Sequence, residues 1–142
     1  MTLAGTGVVD LDFSVITNFE VLTKTDSGGW TLNNNNGTVD VPKAFTTINL
    51  DGGALTLLGT DWSASGTLTI GSGTTLTVGD GATTSDLTVG VTAIDGGTLN
   101  VTAGGGFTNT TAVTGGSNAD TLTVDGTMSV TGSILLGAGS DV

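Results

Sequence analysis

The residues of this chain that could do chemistry are almost all aspartates. Twelve Asp and one Glu face two lysines, Lys24 and Lys43, for a formal charge of −11 over 142 residues. Cys, His, Tyr and Arg are absent. That removes disulfides, thiolate zinc sites, Cys or His nucleophiles and arginine clamps on phosphate. Carboxylate chemistry remains. It could take the form of a hard cation held by oxygens, or of two acids about 5–10 Å apart that cleave a polysaccharide. Asp10 with Asp12, and Asp120 with Asp125, are the candidate pairs. Only two lysines, far apart in sequence, are present to meet an acidic sugar, so the residues favour a non-enzymatic chain. The plain reading is that Asp closes turns by accepting backbone N–H groups. No basic patch exists to neutralise phosphate, which argues against nucleic acid and against anionic membrane surfaces. No segment approaches the roughly 18 apolar residues of a membrane span. The first residues lack the basic and apolar regions of a signal peptide, so an export signal, if one exists, is expected outside these residues.

The elements that position these acids follow from a strong compositional bias. Thr is the commonest residue type and Gly the next, and both β-branching and glycine weaken helices. One tetrapeptide returns: TLTI at 67–70, TLTV at 75–78, DLTV at 86–89, TLNV at 98–101, TLTV at 121–124 and TMSV at 127–130. Each alternates polar and apolar residues, as a half-buried strand does, and Gly, Asp, Ser or Asn separates most copies. Leu76, Leu99 and Leu122 are evenly spaced, and Val78, Val101 and Val124 keep the same spacing. Thr75, Thr98 and Thr121 form one polar column; Thr77, Asn100 and Thr123 form another. Leu32, Leu55 and Val78 extend that spacing toward the N-terminus, and a looser column runs from Ala112 to Leu135 and from Val113 to Leu136. Short strands repeating every 20–25 residues or so, roughly the period of known solenoids, predict a parallel β-solenoid of about six coils. Coils spaced by about 4.8 Å would make a rod roughly 30 Å long.

The first third of the chain is less regular. Val9, Leu11 and Phe13 alternate with Asp10 and Asp12, which predicts a strand with its acids outward. A second strand is expected over Phe19–Leu22, a third around Trp30–Leu32 after Gly28 and Gly29, and a polar turn over residues 33–37. Pro42 marks a loop or an edge. Trp30 and Trp62 read as packing residues, and Phe19, Phe45 and Phe107 as core or end-packing.

Three resemblances attach to particular residues. Ile16-Thr-Asn-Phe-Glu-Val-Leu-Thr-Lys-Thr25, continuing to Trp30-Thr31-Leu32, resembles a phrase of autotransporter passenger domains, with Asp26 where those have Gly. The Gly-Gly-x-Leu-x-Leu/Val phrases at 52–57 and 96–101 are similar to such passengers. This resemblance implies a right-handed parallel β-helix at a bacterial cell surface, serving as an adhesin or stalk. Residues 115–122 resemble the calcium-binding RTX nonapeptide, with Asn118 in place of Gly, and residues 137–142 resemble its tail. That implies a calcium module using Asn118, Asp120 and Asp141. The Thr-x-Thr phrases at 67–69, 75–77 and 121–123 resemble those of ice-binding solenoids, with Thr75, Thr77, Thr98, Thr121 and Thr123 as an outward ladder interrupted at Asn100.

Joined head to tail, the two ends resemble the internal stretch 118–127. This predicts that residues 1–142 are a single solenoid domain and one unit of a longer repetitive surface protein. The expected function is a non-enzymatic structural or adhesive segment, extracellular or at the bacterial surface. It needs no cofactor and is able to stack end to end through exposed coil edges into filaments, with a host or cell-surface ligand as a further partner. The alternatives are a calcium-dependent RTX-like adhesin module, an ice-binding solenoid and a polysaccharide-active β-helix enzyme.

Overall fold

The computed structural model describes residues 1–14, 16–34 and 42–142. Residues 35–37 of the expected polar turn lie outside them. The described residues form only strands and turns. β1 (Thr2–Leu3) precedes six coils. The first coil holds β2 (Val8–Asp12) and β3 (Val21–Lys24). The second holds β4 (Gly29–Asn33), β5 (Lys43–Phe45) and β6 (Thr47–Leu50). The third holds β7 (Ala54–Leu58) and β8 (Trp62–Ile70), the fourth β9 (Thr75–Val78) and β10 (Ser85–Ile94). The fifth holds β11 (Thr98–Val101) and β12 (Gly105–Gly115), and the sixth β13 (Thr121–Val124), β14 (Thr127–Val130) and β15 (Ile134–Leu135). Every strand pairing is parallel. The chain is therefore a β-solenoid of about six turns, as its repeats predict.

From the second coil on, each coil has three faces. β2, β4, β7, β9, β11 and β13 stack as one six-stranded sheet, the first face. The other nine strands form a sheet that bends. Its central strand β10 shifts register against both neighbours between Val89 and Val91, and such an irregularity turns a strand. Residues 85–89 belong to the second face, with β5 and β14. Residues 91–94 belong to the third, with β1, β3, β6 and β15. The recurring tetrapeptide thus marks strands on all three faces: 75–78 on the first, 86–89 on the second, 67–70 on the third.

Alternation sends every second side chain inward, where identical lanes stack. On the first face Val9, Trp30, Leu55, Leu76, Leu99 and Leu122 form one inward column, and Leu11, Leu32, Leu57, Val78, Val101 and Val124 the other. The columns of 76/99/122 and 78/101/124 agree with the sequence reading. The extension does not: Leu55 pairs with Leu76 rather than Val78, and Leu32 with Leu57 rather than Leu55. Likewise Val113 pairs with Ile134, and Thr114 with Leu135. The cause is coil length. The second column passes through positions 11, 32, 57, 78, 101 and 124, and its spacing is constant only from 78 onward. Every interval in it is an odd number, so any two intervals differ by an even one. The wrong register therefore keeps the same residues inward.

The N-terminal strands also need a correction. The second strand begins at Val21, not Phe19. Asn18 has φ 68°, a left-handed conformation that breaks a strand, and Phe19 is 38 % exposed. Phe45, Phe107 and Trp62 are buried as expected. Trp30 is half-buried in its column.

Candidate functional site

The corner between the third and first faces collects the residues singled out for calcium. Asp120 lies just before β13 and is completely buried. Its Oδ1 accepts the Gly96 N–H at 2.6 Å and its Oδ2 the Gly116 N–H at 3.2 Å. Its own N–H donates to Asp141 Oδ1 at 3.0 Å. Asn118 is exposed and donates from Nδ2 to Asp95 Oδ1 at 2.7 Å. The two RTX-like phrases therefore do fall on successive coils, with Asp141 directly beyond Asp120. What surrounds the Asp120 carboxylate, however, is amide hydrogen. That is the environment of an anion, and both oxygens are engaged with it. The local sequence permits this approach: a Cβ on residue 115 would run into the Leu136 carbonyl and the Asp120 carboxylate, so that position is Gly. Among the described residues no group of three or more His, Cys, Asp or Glu is placed to hold a metal.

Other aspartates do the same work at exposed turns. Asp80 accepts the N–H groups of Ala82 and Thr83 at 2.9 and 2.7 Å, and these bonds hold its carboxyl below the usual Asp range. The hydroxyl and N–H of Ser14 do so for Asp12. Asp26 Oδ2 accepts the Gly5 N–H at 3.0 Å. Of the candidate acid pairs, Asp10 and Asp12 share the outer side of β2, about 7 Å apart along the strand. Asp120 and Asp125 are not brought together, because Asp120 is buried at one end of β13 and Asp125 is exposed beyond the other.

Both lysines are buried, at 0 % and 3 % exposure. Lys24 Nζ donates to the carbonyls of Thr25, Asp26 and Gly52, tying two successive corners together. Lys43 Nζ donates to Ser14 O at 2.9 Å and Ile16 O at 2.8 Å, and lies 5.7 Å from the centre of the Phe13 ring. Burial pushes both ammonium groups below the ordinary lysine range, opposed by Asp26 for Lys24 and by Asp12 for Lys43. The sequence reading missed these roles, although a signal was present. Lys24 follows Leu22 by two positions and Lys43 precedes Phe45 by two, so both stand at inward positions of alternating strands. Phe13, Phe45 and Trp62 pack beside Lys43 with ring centres 5.4 to 6.5 Å apart. Because no Arg or His exists, the surface carries no cationic side chain.

The first face presents the Thr ladder. Thr75, Thr98 and Thr121 align in one outward lane, and Thr77, Asn100 and Thr123 in the next. The structure lengthens the second lane to Asp10, Thr31, Thr56, Thr77, Asn100 and Thr123. Lanes repeat at about 4.8 Å along the rod, and alternate residues at about 6.6 Å across it. Asn100 interrupts the lane as expected, and Leu58 stands in a third outward lane with Asp12 and Asn33.

Compared with known proteins, the chain matches no family model, no curated protein and no solved structure. No helix of the described residues is long and apolar enough to cross a membrane.

Proposed function

We propose that this chain is a non-enzymatic structural rod, a spacer or adhesive segment of an extracellular or bacterial cell-surface protein that extends by stacking coil on coil. One observation carries this reading. Both lysines and the acids Asp26, Asp95, Asp120 and Asp141 bond from one coil to the next, while the inward columns of the first face run unbroken through all six coils. All seven exposed large apolar residues among those described lie in the first or last coil: Val8, Phe19 and Val21 at one end, Val124, Ile134, Leu135 and Val142 at the other. In a solenoid each coil contacts only its neighbours, so such ends accept further coils. The resemblance to autotransporter passengers agrees with a surface location and a right-handed coil.

The test is a thermal melt followed by far-ultraviolet circular dichroism, in EDTA and then in millimolar calcium, with sedimentation at rising protein concentration. A β-spectrum with the same midpoint in both buffers, and concentration-dependent growth, is the expected result. A coil spectrum in EDTA that becomes β with calcium would replace this reading with the RTX-like one.

The lengthened second lane, with Thr31 and Thr56 added, favours a second reading, in which the first face orders water as an ice-binding surface. Thermal hysteresis that is abolished by Thr77→Tyr would support it, and ice growth unaffected by the chain would dispose of it.

A further inference from the structure

Lys24 and Lys43 are both buried ammonium groups, but only one of them has all its donors in use. An ammonium carries three N–H donors and no acceptor. Lys24 Nζ gives one to each of three carbonyls, those of Thr25, Asp26 and Gly52. Lys43 Nζ reaches two, Ser14 O at 2.9 Å and Ile16 O at 2.8 Å. Among the described residues it makes no third hydrogen bond and no ion pair. A buried charge is ordinarily paired or fully bonded, so Lys43 stands one acceptor short.

Lys43 also lines a cavity of about 300 Å³. Apolar side chains make most of its wall: Phe13, Ile16, Phe19, Pro42 and Phe45. The cavity follows from a missing face. From β2 the first coil passes to β3 with no second-face strand between them among the described residues. It rejoins its neighbour at Glu20, whose carbonyl accepts the N–H groups of Thr46 and Thr47 at 2.6 and 3.2 Å. β5 is therefore paired with β8 alone. The Lys43 N–H turns to Asp61 O at 2.9 Å, on the β8 side. In a parallel ladder the next residue turns the other way, so the N–H and C=O of Ala44 face the first coil, where Ala44 lines the cavity. Ala44 is exposed between buried Lys43 and Phe45, which sets this rim on the flank of the rod. Every lining residue lies between Phe13 and Phe45 in sequence, so the site does not depend on how many coils stand on either side.

We propose that this cavity binds a small apolar anion, a carboxylate that takes the third N–H of Lys43 and lays its apolar body against Phe13, Phe19 and Phe45. The volume stands at the small end of ligand cavities, and the Ala44 N–H offers a further donor at the rim. Lys24, whose three donors are taken, has no place for such a ligand. The chain's net charge of −11 opposes an anion at long range. That opposition is screened over about 10 Å at about 0.1 M salt, whereas the contact with Nζ is made at bonding distance and largely out of water. Burial pushes the Lys43 ammonium below its ordinary range, with Asp12 opposing, and an anion against it favours the charged form again. Asp12 itself is engaged by the hydroxyl and N–H of Ser14.

The experiment titrates benzoate into the isotope-labelled full chain, with benzamide as the neutral counterpart of the same shape, and follows backbone amide signals and the side-chain carbon signals of the lysines. Saturable shifts centred on Lys43, Ala44 and Phe45 are expected. Benzoate should bind about tenfold more tightly than benzamide, the factor for a charge-assisted bond. The titration of Lys43 should move upward with benzoate, and that of Lys24 should stay where it is. Lys43→Met should abolish the preference for benzoate, circular dichroism verifying its fold. Phe19→Ala, at a partly exposed wall residue, should weaken both probes severalfold while leaving the preference intact. Equal binding of benzamide and benzoate would refute the anion. Shifts centred on Lys24 or on the N-terminal amine would refute the site. Absence of any saturable shift would refute the ligand and leave Lys43 a structural tie alone.

Discussion

Replacing Asp120 by Ala separates the two readings of the acidic corner. The substitution removes the acceptors of the Gly96 and Gly116 N–H groups from a residue with no exposed surface. A buried donor left without a partner costs about 1–3 kcal/mol, and bonds to a carboxylate stand at the upper end of what hydrogen bonds contribute. Both amides lie at a partly open corner, and water can enter the space the carboxylate leaves. The lower part of that range therefore applies to each, about 2–4 kcal/mol in total. A chain of this size is stable by roughly 7–20 kcal/mol, so the loss is a sizeable fraction, about 6–12 °C in Tm. It should fall on one place. Asp120 clips the fourth, fifth and sixth coils, so amide exchange should accelerate first at Leu122–Val124 while Leu55–Leu57 stay protected. Asp120→Asn keeps one oxygen but turns an N–H₂ toward an N–H, and about half of the loss should return. The assay is denaturant unfolding with hydrogen exchange, run in EDTA and in calcium. A change of Asp120→Ala below about 0.5 kcal/mol would mean that the carboxylate is no clip. Destabilisation confined to calcium-containing buffer would mean that it is a metal ligand.

Three further outcomes follow from the same geometry. Leu99→Ala, at the middle of an inward column with 0 % exposure, should cost about 3–5 kcal/mol, whereas Leu122→Ala, in the same column at the uncovered end, should cost about 1–2 kcal/mol; equal losses measured by denaturation at low protein concentration would show that the sixth coil is covered. Burial holds Lys24 and Lys43 below the ordinary lysine pKa of 10.5, so the unfolded chain binds more protons between the folded values and 10.5, and stability should rise with pH in that window. With Tyr and Cys absent, no other side chain titrates there, and the slope should vanish in Lys24→Met with Lys43→Met; a slope that persists in the double variant would contradict this. Asp12 and Asp80 have lowered pKa values, so the stability they lend is present above about 3.8 and is lost as pH falls through their folded values; Asp80→Ala should flatten that acid limb in pH-dependent melts.

The sequence and the structure agree most closely where chemistry repeats at constant length. From Thr75 to Val124 each first-face strand is Thr-Leu-Thr/Asn-Val, the coils keep one length, and registry can be read position by position. Upstream the coil length changes from turn to turn, as the partners Leu11, Leu32, Leu57 and Val78 show, and alternation is blind to a slip of two. Leu55 therefore looks as well placed opposite Val78 as opposite Leu76. The difference in length is taken up at the corners, where for example a Cβ on Gly53 would run into the carbonyls of Gly28 and Asp26, and such contacts join backbones that are far apart in sequence.

The lysines and Phe19 show the same limit from the other side. Hydropathy places a lysine outside and a phenylalanine inside, and here both expectations invert. Lys24 and Lys43 are drawn in because a solenoid corner concentrates carbonyl groups that the sheet ladders leave unpaired. An ammonium with three donors satisfies several of them at once, as Lys24 does for Thr25, Asp26 and Gly52. Phe19 is pushed out because Asn18 takes the left-handed conformation just before the strand. The alternation of Leu22 with Lys24, and of Lys43 with Phe45, carried the information; what overrides hydropathy is the carbonyl-rich interior of the corner. The consequence reaches the surface. With both cations consumed inside, every charged side chain left outside is an acid. Along its length the rod therefore presents acids and no cationic side chain, while at the two ends of the inward columns Val9, Leu11, Leu122 and Val124 stand half-covered or exposed.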